Sequence, residues 1–210
     1  MRRVCIDPTM NREILEQGYT HLQMLSEADT SYLLAEMKKT CPEMQFEPDG
    51  ELPSHEHIYS SYMENDLSLR EASERLVREV FTPHVEQLLD RYRILSCGFF
   101  IKAPRGGELG VHAHWRATES RKDTVVNFWC PLMETDVTNG TFYAIPGTHK
   151  IFPETFYLNY YPYYQDYVQV VKEKYSVALP SKPGQAVIFD DTMLHWSPDN
   201  LSDKPRYAMH

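Results

Sequence analysis

No apolar run in this sequence approaches the ~18 residues that a membrane-spanning helix needs, so a helical span is excluded. Closely spaced cysteines are missing too. Cys5, Cys41, Cys97 and Cys130 lie far apart with no CxxC pair, which argues for reduced structural thiols and against a disulfide framework or a thiolate zinc site. Positive charge is scarce: 21 Lys and Arg face 30 Asp and Glu, a net charge of −9, and no basic run offsets it locally. Such a chain repels phosphate backbones, so nucleic acid is a poor partner. Met1-Arg2-Arg3 resembles the basic start of a secretion signal, but Asp7, Asn11, Arg12 and Glu13 stand where its apolar stretch belongs. These absences predict a soluble, cytoplasmic protein with no membrane partner.

What is present is enough hydrophobic content, 42% of 210 residues, to bury one core. The expectation is one domain over 1–210, mainly helical in 1–93 and β-rich in 94–210. Ser26-Glu-Ala-Asp29 opens a run with Leu33, Leu34 and Met37 at helical spacing, and Pro42 follows its end. A second helical pattern starts near Ser68, the expected N-cap, and carries Leu69, Ala72, Leu76, Val80, Phe81, Val85 and Leu88. Pro83 is expected to split or kink it. Between these patterns lies a polar loop containing His55 and His57, read as surface. Strand-like runs follow at 95–103, 124–132, 141–145, 186–189 and 206–209, separated by Pro, Gly and Asn clusters. Short strands after a helical segment predict a mainly β fold with N-terminal helices, a jelly-roll sandwich with helices on one sheet. Phe156, Tyr157, Tyr160, Tyr161, Tyr163, Tyr164 and Tyr167 crowd one inter-strand stretch, either as rings covering a sheet or as a substrate-facing wall.

His112-Ala-His114 is placed at the start of a strand, where alternate residues share a face and both imidazoles can enter one cavity. His195 follows a later strand after the Asp190-Asp191-Thr192 turn. Two histidines two apart plus a distant third suit a facial iron site, which keeps its other positions open to substrate and oxygen.

Five blocks surround these residues. Lys102-Ala-Pro-Arg-Gly-Gly-Glu-Leu-Gly-Val-His112 comes first, then Asn127-Phe-Trp-Cys-Pro-Leu132, then Asn139-Gly-Thr-Phe-Tyr-Ala-Ile-Pro-Gly-Thr-His-Lys150. Pro183-Gly-Gln-Ala-Val-Ile-Phe-Asp190 and His195 follow, and Asn200-Leu-Ser-Asp-Lys-Pro-Arg206 closes the series. Their order and spacing resemble the phytanoyl-CoA dioxygenase family of Fe(II)/2-oxoglutarate-dependent oxygenases, closely from Leu95 onward and more loosely before it. The resemblance implies a double-stranded β-helix of the cupin-like kind, with Fe(II) as cofactor and 2-oxoglutarate as cosubstrate. It implies hydroxylation of a small organic substrate by molecular oxygen, with release of succinate and CO2. His112 matches the first iron ligand and His195 the last. Arg206 matches the residue that pairs with the distal carboxylate of 2-oxoglutarate, a task that suits a planar guanidinium fork. Ser197 stands where a hydroxyl assists that Arg. Lys102 and Asn127 match cosubstrate contacts of some members, Trp129 flanks it, and His149 belongs to a structural turn.

One position departs from the family's His-x-Asp: it is His114. A carboxylate gives a ferrous ion negative charge, whereas a neutral imidazole gives only a lone pair. Four readings stay open. His114 ligates and makes a three-His site, Glu119 or Asp123 supplies the carboxylate, the chain is a degenerate metal- or ligand-binding protein, or the site is halogenase-like, which the bulk of His disfavours. His112-x-His114 with Glu119 also resembles a first cupin motif, but no properly spaced second motif follows. The chain also stops four residues after Arg206, inside what reads as a core strand. A truncated C-terminus is therefore expected to leave little holding Arg206. Substrate identity and oligomeric state are not encoded in these patterns.

Overall fold

The computed structural model describes residues 3–40, 58–114, 124–151 and 165–210. His55, His57, Cys41, Glu119, Asp123 and the aromatic cluster up to Tyr164 lie outside them. In chain order come α1 (Pro8–Gln17), β1 (Tyr19–Gln23), α2 (Glu27–Thr40), β2 (Ile58–Ser60) and α3 (Leu67–Leu88). Then follow β3 (Phe99–Lys102), β4 (Leu109–His112), β5 (Val126–Pro131), β6 (Phe142–Ala144) and α4 (Val168–Tyr175). The last strands are β7 (Val177–Leu179), β8 (Gln185–Asp190), β9 (His195–Ser197) and β10 (Arg206–Met209). They form a six-stranded sheet, β1-β8-β5-β10-β3-β2, and a four-stranded sheet, β4-β9-β6-β7. Every named pairing is antiparallel.

Strand alternation divides the side chains of the large sheet between two layers. Phe99 and Ile101 of β3, Cys130 of β5, Ala186 of β8 and Met209 of β10 form one buried cluster with Leu33 and Met37 of α2 and Val77 and Phe81 of α3. On the other face, Tyr19, Trp129, Val187, Phe189 and Ala208 meet Phe142, Ala144 and Leu179 of the small sheet. The helices thus seal one face of the large sheet, and the functional side chains occupy the space between sheets. Phe99 is fully buried at the helix–sheet layer. Phe99→Ala is expected to cost about 3–5 kcal/mol, read from chemical denaturation.

The helices begin where side chains satisfy their first amides. Ser26 Oγ accepts from Asp29 N–H at 3.1 Å while Asp29 Oδ2 accepts from Ser26 N–H at 3.1 Å, a reciprocal box at the start of α2. For α3 the cap is Asp66 and not Ser68: Asp66 Oδ1 accepts from Ser68 N–H at 2.9 Å and Leu69 N–H at 3.3 Å. Nor does Pro83 divide the helix, which continues to Leu88. Val85 there packs against Val4, Ile14 and Ile188, and this burial offsets the amide bond that proline removes.

Two further expectations change. His112 ends its strand instead of opening one, and His114 lies beyond it. Arg206 is firmly held, because β10 pairs with β3 on one side and β5 on the other. The register continues past the strand: His210 N–H donates to Gly98 O at 3.0 Å, and Gly98 N–H donates to His210 O at 2.9 Å. Gly98 permits a close approach here, since a Cβ would stand 2.5 Å from Ser61 Oγ. Periodicity alone did not reveal β1, β2, β7 or β9, each of five residues or fewer.

Candidate functional site

The small sheet brings His112 and His195 together as directly opposed residues of β4 and β9, with ring centroids 4.2 Å apart. A register shift between Leu109 and His112 places one extra residue on β4, a bulge that re-aims the end of the strand. Just past it, His114 N–H donates to Asp191 O at 2.9 Å, which ties the segment to the turn before β9. That turn is built by Asp190, whose Oδ1 accepts from Thr192 N–H at 2.9 Å and Thr192 Oγ1 at 2.6 Å. The His114 ring lies 5.5 Å from His112 and 4.8 Å from His195. One nitrogen from each of the three imidazoles falls within a 4.8 Å span. Donors of a facial set stand about 3.0 Å apart, given right angles and metal–nitrogen bonds near 2.1 Å, so an inward closure of up to about 1.8 Å separates this cluster from a coordination shell.

Hydrogen bonds fix which nitrogens face inward. His112 Nδ1 lies 2.8 Å from Gly110 O and His195 Nδ1 lies 2.9 Å from Met193 O. Each Nδ1 therefore carries the proton and donates, leaving Nε2 with a free lone pair. Burial pushes all three imidazoles below their ordinary pKa, His114 to about 3, so they are neutral near pH 7. Three neutral nitrogen donors form a set suited to a divalent transition ion.

Arg206 lies in the same cavity, of about 1240 Å³, with Asn127, Trp129, Ser197 and the three histidines on its wall. The guanidinium is 1% exposed, and none of its three nitrogens has a hydrogen-bond partner. It stands over two rings: the guanidinium carbon is 5.6 Å from the Phe100 centroid and 5.5 Å from that of Trp129. Directly across the ladder stands Lys102, also fully buried. Two cations in opposed positions of a buried sheet repel each other, and an anion between them or beside them relieves both. Burial first, and then Arg206, lowers Lys102 to about 7.

Other expected contacts differ in detail. Ser197 Oγ does not reach Arg206; it accepts from Lys102 Nζ at 2.7 Å. Lys102 also donates to Pro198 O at 2.5 Å, so it turns toward the loop after β9 and acts on the cavity through its charge. Asn127 stands close enough to His114 to offset part of the lowering of its pKa, and its buried amide nitrogen has no hydrogen-bond partner. Trp129 stands beside Arg206. His149 packs below Gly18, its Nε2 3.3 Å from Leu15 O, away from the three-histidine cluster. His210 went unnoticed in the sequence, yet its ring lies 5.1 Å from that of His114. Strand alternation could have found it: residues 206, 208 and 210 share one face.

Solved structures share this architecture. The non-heme alpha ketoglutarate dependent carbocyclase SnoK of nogalamycin biosynthesis matches with a TM-score of 0.69 and 19% identity, over 97% of this chain and 82% of its own. The epimerase SnoN in complex with Fe3+, alpha ketoglutarate and nogalamycin RO matches at 0.65 and 16%, over 97% of this chain and 82% of its own. EctD from S. alaskensis with 2-oxoglutarate and 5-hydroxyectoine matches at 0.64 and 18%, over 97% of this chain and 74% of its own. At these identities the likeness establishes the jelly-roll fold and no more. No curated protein sequence matches the chain. The phytanoyl-CoA dioxygenase (PhyH) family model covers residues 14–208, and the chain belongs to that family.

Proposed function

We propose that this protein is a non-haem Fe(II)/2-oxoglutarate-dependent oxygenase that hydroxylates a small organic substrate. The observation that carries the reading is the juxtaposition of three neutral imidazoles and a buried, unpartnered guanidinium in one cavity. His112, His114 and His195 fit the metal as a facial set, and Arg206 fits the distal carboxylate of 2-oxoglutarate. Trp129 and Phe100 pack against the buried guanidinium, so its fork is preorganised and loses little freedom on binding. The partnerless Asn127 amide offers a donor to a second oxygen of the same ligand. Together, iron and 2-oxoglutarate couple oxygen-dependent decarboxylation to hydroxylation of a C–H bond, giving succinate and CO2. The chain's own share is to hold the ligands neutral, orient the dicarboxylate and keep water from the reacting positions.

The test is an anaerobic titration of metal-free protein with Fe(II) and 2-oxoglutarate, followed by the visible charge-transfer band of the chelate. A band supports the oxygenase reading. Folded protein with no band would favour a degenerate binding protein in which His114 has ended turnover.

Lys102 makes 2-oxoglutarate affinity depend on pH. Its pKa of about 7 lies below the ordinary 10.5, so between these values the unfolded chain holds more protons and the stability of the ligand-free protein rises with pH. Neutralising Arg206 with a carboxylate removes a repulsion and raises the Lys102 pKa. Binding then takes up a proton, and affinity falls as pH rises above 7, by up to about tenfold per unit. Calorimetric titration at pH 6.5, 7.5 and 8.5 checks this, and Lys102→Met is expected to flatten the profile.

A further inference from the structure

His112 and His195 each have a backbone anchor: their Nδ1–H groups donate to carbonyls two residues earlier. His114, past the end of β4, is steadied from the opposite sheet instead. Asn127 stands beside it, the Phe189 ring lies 5.6 Å away, and the His210 ring meets it edge-to-face at 5.1 Å and 72°. His210 is itself well fixed. Paired backbone bonds to Gly98 hold its main chain, and Tyr62 and Phe100 flank its ring at 6.4 and 6.1 Å. Ala208, the small residue between Arg206 and His210 on the inward face, leaves space above the strand.

We propose that His210 is a positioning residue for His114: with Asn127 it holds the third imidazole in line with His112 and His195. This rests on the reading of His114 as a metal ligand. The pairing is specific to a ring at this position. An aspartate side chain is shorter than histidine and would end short of His210, so a supporting imidazole matters only where the third ligand is itself an imidazole. Edge-to-face packing of this kind needs a flat ring but not a ring nitrogen.

Co(II) titration of the metal-free, full chain tests the inference, with affinity and visible ligand-field bands as readouts and ligand-free melting as the folding control. His210→Ala is expected to weaken Co(II) binding about tenfold or more and alter the bands, as loss of an orienting partner does. His210→Phe, which keeps the packing, is expected to restore most of the affinity. In a His114→Asp background, His210→Ala is expected to change nothing. Wild-type affinity and bands in His210→Ala would overturn the proposal, as would an equal loss in the His114→Asp background or a failure of His210→Phe to rescue. If wild-type protein shows no Co(II) bands at all, the metal-site reading fails and takes the role of His210 with it. A result confined to His210→Ala leaves the metal site standing.

Discussion

Arg206→Met is expected to stabilise the ligand-free protein while removing its response to 2-oxoglutarate. In the wild type a guanidinium is 1% exposed, has no hydrogen-bond acceptor, and faces a second buried cation, Lys102, across the ladder. Taking an ion out of water costs several kcal/mol, and ring contacts with Phe100 and Trp129 return about 1–2 of these. Methionine fills much of the same volume without the charge. A net gain of about 1 kcal/mol, roughly 2–4 °C in melting temperature, is expected for a chain of this length. The converse holds for ligand. Wild-type protein with 2-oxoglutarate at a hundred times its Kd should gain about 2.7 kcal/mol. Removing the charged partner of a buried carboxylate costs about 2–5 kcal/mol of binding, so the variant should lose most or all of that shift. Melting curves of both proteins, with and without 2-oxoglutarate, check the pair of expectations. A variant that is less stable yet still responds to ligand would remove Arg206 from the binding role.

His195→Ala is expected to abolish the Fe(II)/2-oxoglutarate charge-transfer band and all metal-dependent turnover. The side chain is one of three clustered donors, and its Nε2 lone pair is oriented by the Met193 carbonyl. Changes in such orienting partners alone cost 10–100-fold in metal affinity, so loss of the ligand itself should cost at least about 100-fold. Folding should survive at a modest penalty, since His195 packs face to face with Phe142 at 5.1 Å and leaves a small cavity when truncated. Fe(II) titration of the variant, alongside its circular dichroism, measures both effects. Unchanged turnover would take His195 out of the site.

Much of this arrangement was legible beforehand because it rests on local chemistry. The apolar run 186–189 read as a strand since both of its faces are buried, and Arg206 read as a carboxylate partner through its place in the family resemblance, a task that suits a planar guanidinium fork. His112-x-His114 announced a shared cavity through its spacing, although the strand proved to end at the first histidine. What stayed hidden depends on tertiary neighbours. Ser197 sits two residues from His195, yet which cation it serves is decided by the ladder that brings Lys102 against it. The three-residue strands β2, β7 and β9 are too short to show a period; they exist because their backbone groups find partners in neighbouring strands. His210 escaped notice because a lone histidine carries no motif, and only strand alternation links it to Arg206.

The order of strands in the large sheet governs how this chain must fold. Tyr19 pairs with Phe189, Val126 with Asp190, Met209 with Cys130 and also with Phe99, and Ser60 with Phe100. No neighbours in that sheet are joined by a hairpin, so each ladder closes a long loop before its contacts repay the lost entropy. High contact order of this kind places refolding in the millisecond-to-second range, with helices able to form first and the sheet slow to follow. During that interval the apolar strands 186–189 and 99–102 are unpaired and prone to associate between molecules. Yield on refolding should therefore fall as protein concentration rises, even for a native state that is itself secure.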